Sequence, residues 1–135
     1  MEYSQKIQAI INALDDVKII AEGAAAQNLL AEMELRIFNE GKDVTDLQIG
    51  SYSEGYAELR KAAGLQVAYV DLTFTTDLKQ SIVQQENRII YKNDYGRTIA
   101  KKNERHFGKK IFSPSKKERE KAIEIMKEEV NKLFL

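Results

Sequence analysis

The chain has 135 residues, 43% hydrophobic and 31% charged, and its 21 basic and 21 acidic side chains cancel to a formal net charge of zero. That is the size and composition of one globular domain, residues 1–135, able to bury a core without covalent staples. The absence of cysteine excludes disulfides and thiolate metal sites, and suits reduced cytosol or a particle assembled there.

The N-terminal stretch MEYSQKIQAIINAL is too short and too polar to span a membrane, so a soluble protein is expected. Ile7, Ile10, Ile11, Leu14 and Val17 fall at helical spacing, as do Leu29, Leu30, Met33 and Ile37. The front third reads as one long helix or two shorter ones, with Asp15-Asp16 and Gly23 as break points in the second case. Ala24-Ala25-Ala26 permits close approach of another element. Gly41 is a C-terminal stop. Residues 41–53 read as a loop. Ser53 then caps a short helix from Glu54 to Ala63, which ends at Gly64 and puts Tyr56, Leu59, Arg60 and Ala63 on one face.

Val67 to Phe74 alternates as a strand does, with Ala68, Val70, Leu72 and Phe74 toward the core. Thr75-Thr76-Asp77 ends it. A threonine hydroxyl at that point caps a short helix over Asp77 to Ser81, and Asp77 in its first turn suits the helix dipole. Ile82 to Gln85 and Arg88 to Lys92 read as two strands about a turn at Glu86-Asn87, where Asn tolerates the left-handed conformation. Asp94-Tyr95-Gly96 reads as a further turn, and Ile99 to Phe107 as a weak helix ending at Gly108. Ile111-Phe112 is an apolar anchor. Ser115 and Glu118 form a capping box for the last helix. Ile123, Met126, Val130 and Leu133 share a face of it, and Leu133, Phe134 and Leu135 close the chain. Helices, then strands, then helices make an α+β fold.

Few residues suggest chemistry. His106, the sole histidine, lies among Arg105, Lys109 and Lys110 with only Glu104 as a neighbouring carboxylate, and reads as a structural or surface residue. Asp43 and Asp46 lack the alternating ligands and closing Glu of a calcium loop. Asp71 and Asp77 have no second partner for acid–base work and read as structural. No phosphate loop is present, since Gly50-Ser51-Tyr52-Ser53 is short and has no lysine. No catalytic residue, cofactor or metal is expected, and no enzymatic activity.

Charge is unevenly placed. Residues 1–50 carry 4 basic and 9 acidic side chains, a net of −5, whereas residues 88–121 carry 12 and 4, a net of +8. Arg97, Lys101, Lys102, Arg105, Lys109, Lys110, Lys116, Lys117, Arg119 and Lys121 make up most of the basic run. Such a run follows a phosphate backbone, or faces the acidic surface of another copy. The second reading, or a plain solvated face, is preferred.

Three segments then acquire a joint meaning: IFNEGKDVTDLQIGSYSEGYAELRKAAGLQ (37–66), VDLTFTTDLKQSI (70–82) and AKKNERHFGKKIFSPSKKERE (100–120). In order and spacing they resemble the tail-completion or head–tail joining proteins of long-tailed bacteriophages, also called virion-morphogenesis proteins. That family carries a T-G-D-L or T-G-x-L-x-x-S-I turn, matched here by Thr75, Asp77, Leu78, Ser81 and Ile82. Thr76 stands where the family has glycine and would be strained if the position needs a positive φ. Glu104, Gly108 and Phe112 occupy the places of the family's Glu and Gly before a Phe.

The resemblance implies a long N-terminal helix and a C-terminal helix packed on a small antiparallel sheet. It also implies a non-enzymatic virion protein, assembled in the host cytoplasm, that forms a homo-oligomeric ring at the tail–neck junction. Other tail or neck proteins would be its partners, and passing DNA would make non-specific contacts. On this reading Thr75 to Ile82 is a structural joint: Thr75 caps the short helix, Leu78 and Ile82 seat it, and Ser81 bonds backbone. The alternative from composition alone is a small nucleic-acid-binding module using the basic 88–121 face.

Overall fold

The computed structural model describes residues 2–73 and 75–134, apart from the side chains of Leu133 and Phe134. The expected inward face of Phe74 and the apolar close formed by Leu133, Phe134 and Leu135 lie outside the described residues. The architecture is α+β, as the residue pattern indicated, and mostly helical.

Helix α1 runs unbroken from Tyr3 to Glu34, about 48 Å at 1.5 Å per residue. Gln5 opens it by accepting a 3.1 Å bond from the Glu2 N–H. Neither break point is realised. Asp15 and Asp16 sit exposed on the solvent side. Gly23 is held helical by its surroundings, since Ala21, Ala25 and Ala26 are buried and the Gly23 carbonyl accepts from Gln84 Nε2 at 2.9 Å. Tertiary contact of this kind outweighs glycine's propensity cost of about 1 kcal/mol.

The helix then widens into a π-helical turn, Leu35–Asn39, in which the Glu40 N–H reaches back five residues to the Leu35 carbonyl. Gly41 ends it at φ +66°, and a Cβ there would collide with the Val70 carbonyl and the Tyr69 ring. Glycine is required twice over, for conformation and for space.

Helix α2, Glu54–Ala62, is capped by Ser53, whose hydroxyl accepts from the Tyr56 N–H at 3.3 Å. Of the strand expected over residues 67–74, the described part, 67–73, does not form. Leu72 has φ +56°, which no strand accommodates. Side chains also take the backbone groups a ladder would use: Gln66 Oε1 accepts from the N–H of Ala68 and Tyr69, Tyr52 Oη from that of Asp71, and Asp71 Oδ1 from that of Thr73.

Helix α3, Asp77–Ser81, leads into a two-stranded antiparallel hairpin, β1 (Ile82–Gln85) and β2 (Arg88–Tyr91), with Ile82 opposite Tyr91 and Gln85 opposite Arg88. Glu86 rather than Asn87 takes the left-handed conformation in the turn, at φ +56°. Helix α4, Asp94–Phe107, begins earlier than its apolar pattern suggested, because Asn93 caps it by accepting from the Gly96 N–H at 2.8 Å. Residues 94–96 are thus its first turn. Gly108 ends it in the left-handed conformation.

Helix α5, Lys116–Phe134, runs back along the C-terminal half of α1. Met33, Ile37, Phe38, Ile49, Val70, Leu78, Ile82, Ala100 and Ile111 form the core between α1, the loops, the hairpin and α4.

Candidate functional site

The Thr75–Ile82 segment is a joint. Leu78 and Ile82 are buried in the core, and the Ser81 hydroxyl donates to the Leu78 carbonyl at 2.7 Å. Ser81 also sets the distance between α3 and α4, since a Cβ on Gly96 would overlap its Oγ and Cβ. Thr75 plays a smaller part than expected: its hydroxyl is 3.5 Å from the Asp77 N–H, the outer limit of a bond. Thr76 is the helix-flanking residue, at φ −86°, so the position demands no glycine. Its hydroxyl accepts from Gln80 Nε2 at 2.9 Å, and Asp77 is exposed. The third motif closes a corner: Glu104 Oε2, before the reversal at Gly108, accepts from the N–H of Ile111 at 2.7 Å and of Phe112 at 3.3 Å, both after it.

Two buried ion pairs fasten the rest. Arg36, in the π-helical turn, forms a fork on Glu118, with Nε to Oε2 at 2.7 Å and Nη2 to Oε1 at 3.2 Å. Its remaining donors reach the carbonyls of Lys42, Ile111 and Ser113 at 3.0–3.1 Å. Glu118 Oε1 also accepts from the Ser115 N–H while Ser115 Oγ accepts from the Glu118 N–H, completing the capping box. Arg60, almost fully buried on α2, bonds Asp71 through Nη2 at 3.1 Å and lies over the Tyr52 ring.

Burial opposes the Asp71 charge, yet bonds from Gln66 and Thr73 and the Arg60 cation outweigh it and hold the carboxyl below its ordinary value. Burial first, with the Asp71 carboxylate adding to it, pushes the Tyr52 phenol up to about 12. Asp43 behaves like Asp71. Burial is overcome by bonds from Thr45 and Leu47 and by Lys109, so it is a turn aspartate with a lowered pKa.

The basic residues are divided among three places. Arg97, Lys101 and Arg105 repeat every four residues along an exposed row of α4, with Lys102 exposed beside them. Arg97 pairs with Asp94 at 3.4 Å. Lys109 and Lys110 follow α4, and Lys109 Nζ donates to the Gln48 carbonyl at 2.6 Å. Lys116 and Lys117 open α5, where they border a cleft shared with the acidic residues Glu32, Glu40, Asp46 and Glu120.

A second cleft, about 430 Å³, collects Tyr52, Tyr56, Leu72, Asp77, Tyr95, Asn103, His106 and Phe107. His106 is exposed and meets the Phe107 ring edge-on. No group of three or more potential metal ligands occurs among the described residues. None of their helices is long and apolar enough to cross a membrane.

The surface that most needs a partner is the N-terminal half of α1. Tyr3 is 84% exposed, Ile7 57%, Ile10 61%, Ile11 45% and Leu14 50%. At 100° per residue these side chains share one face, which passes the exposed Lys18 before reaching the buried Ala21 and Ala25, where α5 covers it. Four aliphatic side chains left about half in water forgo roughly half of the 1.5–3 kcal/mol that complete burial of each contributes. A helical arm with no tertiary support is also marginal at this length. The isoleucine periodicity was legible in the sequence, whereas its lack of a cover is a finding of the structure.

Comparison with protein-family models, with curated proteins and with solved structures finds no match for this chain.

Proposed function

We propose that the chain is a structural virion protein of a tailed bacteriophage or prophage, acting in tail completion or head–tail joining through ring-like self-assembly. The observation that carries this reading is the uncovered apolar arm of α1, a surface suited to another protein and costly in water. The three motif segments support it further, because each builds a joint: Gly41 against Val70, Ser81 against Gly96, and Glu104 across the Gly108 corner. Interlocked joints give a rigid body that presents surfaces. A ring needs one face to complement a different one, and the acidic front and basic third quarter offer opposite signs. In the particle the partners are further copies and other tail or neck proteins, with non-specific DNA contacts through exposed lysine and arginine.

One observation favours a second reading, a small nucleic-acid-binding module: the exposed Arg97, Lys101, Arg105 row on α4. Negative-stain electron microscopy of the purified chain at rising concentration separates the two. Rings with a central opening support the assembly role. Particles of monomer size throughout, with a duplex affinity that falls steeply with salt and is lost in Lys101→Glu/Arg105→Glu, replace it with the second reading.

A further inference from the structure

We propose that the cleft between α2, α3 and α4 takes the unpaired bases of a single-stranded nucleic acid, whose phosphates run along Lys102, Arg105 and Lys101 beside it. This goes beyond the assembly reading, which needs only phosphate contacts, and it holds or fails whether or not rings form.

The walls of the cleft supply rings for stacking. Tyr52 and Tyr56 stand with ring centres 5.3 Å apart and planes inclined at 59°. Across from them α4 contributes Tyr95, 62% exposed, and the exposed His106. Bases of any identity stack on such rings. A hydrogen-bond donor also waits there. Arg60, only 1% exposed, lines the cleft. Its Nε donates to the Gln66 carbonyl at 3.0 Å and its Nη2 to Asp71 at 3.1 Å, but Nη1 has no acceptor among the described residues. A buried donor left open is costly, and a base carbonyl satisfies it.

Charge decides the occupant. At about 100° per residue, Ile99 and Asn103 lie about 40° and 80° from Tyr95 on the side that leads into the cleft. Lys102, Arg105 and Lys101 lie about 20°, 80° and 120° from Tyr95 on the other side, and all three are exposed. They form a cationic shelf along the rim over the C-terminal half of α4. Asp94, on the same side at the start of the helix, is met by Arg97 at 3.4 Å. The opposite wall carries Asp77, the only carboxylate among the described residues lining the cleft. It repels phosphate there, so the backbone belongs on the shelf and the bases point inward. A duplex keeps its bases stacked inside, and only an unpaired strand can splay them onto these rings.

Fluorescence anisotropy of the full chain with labelled oligonucleotides of about 16 nucleotides tests this. The probes are oligo-dT, oligo-U, a duplex and an abasic strand of equal length. The expected result is that at least one of the two unpaired strands binds several-fold tighter than the duplex and the abasic strand, and the better of the two names the nucleic acid. Tyr95→Ala, at an exposed position, should weaken that binding about 5- to 150-fold, and Tyr95→Phe, which keeps the ring, should leave it intact. Lys102→Ala/Arg105→Ala should reduce the log–log salt slope by about 1.4, at about 0.7 per phosphate contact. Lys116→Ala/Lys117→Ala, which removes as much charge beside a different cleft, should leave the affinity nearly unchanged. Circular dichroism checks the fold of each variant. No measurable binding, equal binding of the duplex or the abasic strand, or a Tyr95→Ala affinity within about twofold of the native chain each overturns the inference. Microscopy of the same preparation keeps the two claims apart. Rings without strand binding refute the cleft alone, whereas strand binding without rings supports the cleft and counts against the ring.

Discussion

Replacing Arg36 with alanine should be among the most damaging substitutions in this chain. The guanidinium is buried, and all of its bonds go to four partners: Glu118 and the carbonyls of Lys42, Ile111 and Ser113. Arg36→Ala leaves the Glu118 carboxylate, itself only 6% exposed, with the Ser115 N–H as its remaining bonded partner. Breaking one side of a buried pair costs about 3–5 kcal/mol, against a total stability of about 5–15 kcal/mol for a domain. With a urea slope of about 2 kcal/mol per molar, the unfolding midpoint should fall by about 1.5–2.5 M. Urea unfolding followed by far-ultraviolet circular dichroism measures this directly. Two controls locate the cause. Glu118→Gln keeps an acceptor for the Ser115 cap but leaves Arg36 without a counter-charge, and should cost about 1.5–3 kcal/mol. Arg36→Met/Glu118→Leu removes both charges and should be far less damaging than the two single losses summed. An Arg36→Ala loss below about 1 kcal/mol would refute the claim that this pair fastens α5 to the π-helical turn.

Gly96→Ala should destabilise the chain by about 1–3 kcal/mol despite alanine's better helix propensity, because the new methyl meets Ser81; pairing it with Ser81→Gly should recover part of the loss in the same urea assay. Asp71 and Asp43 both have carboxyl pKa values lowered from 3.8. A lowered folded-state pKa gives stability that is fully present above the unfolded value and drains away as pH falls through the folded one. Thermal melts should therefore hold steady down to about pH 5 and drop below 3.8, with Asp71→Asn less stable at neutral pH and less sensitive to acid. At the alkaline end Tyr52 has the opposite sign: its raised pKa contributes stability that is present below 10.0 and lost as pH climbs toward about 12. Burial and then the Glu104 charge raise the Tyr91 phenol as well, so phenolate absorbance should show a late-ionising component that Tyr52→Phe reduces by one tyrosine without abolishing.

Local signals carried most of the helical architecture. The S-x-x-E box at Ser115, the Ser53 cap and the helical periods of α1 and α5 each have a short-range physical cause, and each appears in the structure, although the face of α5 expected to hold Ile123 is shifted: Ile123 is exposed while Met126 and Val130 are partly buried with Ala122 and Ile125. Failures came where distant residues decide. Val67 to Phe74 alternates like a strand, but Gln66, Tyr52 and Asp71 capture backbone N–H groups between Ala68 and Thr73. Gly23 looks like a break until α5 and the hairpin close on either side. Arg36 and Arg60 were missed as anchors, although Arg36 sits between Met33 and Ile37 on the core face, where a charge has to find a partner. The backbone bond of Ser81 was legible in the sequence, whereas the corner that Glu104 closes across Gly108 was not. The exposed arm was only half legible, since periodicity marks an apolar face and says nothing of what covers it.

Hydrogen exchange along α1, measured by mass spectrometry at low and high protein concentration, is the most direct test that the arm is an assembly surface. Amides of residues 3–20 should exchange quickly in dilute solution and slow markedly as concentration rises, while residues 33–38 in the core stay equally protected throughout. Arm exchange that remains fast and indifferent to concentration would contradict the account.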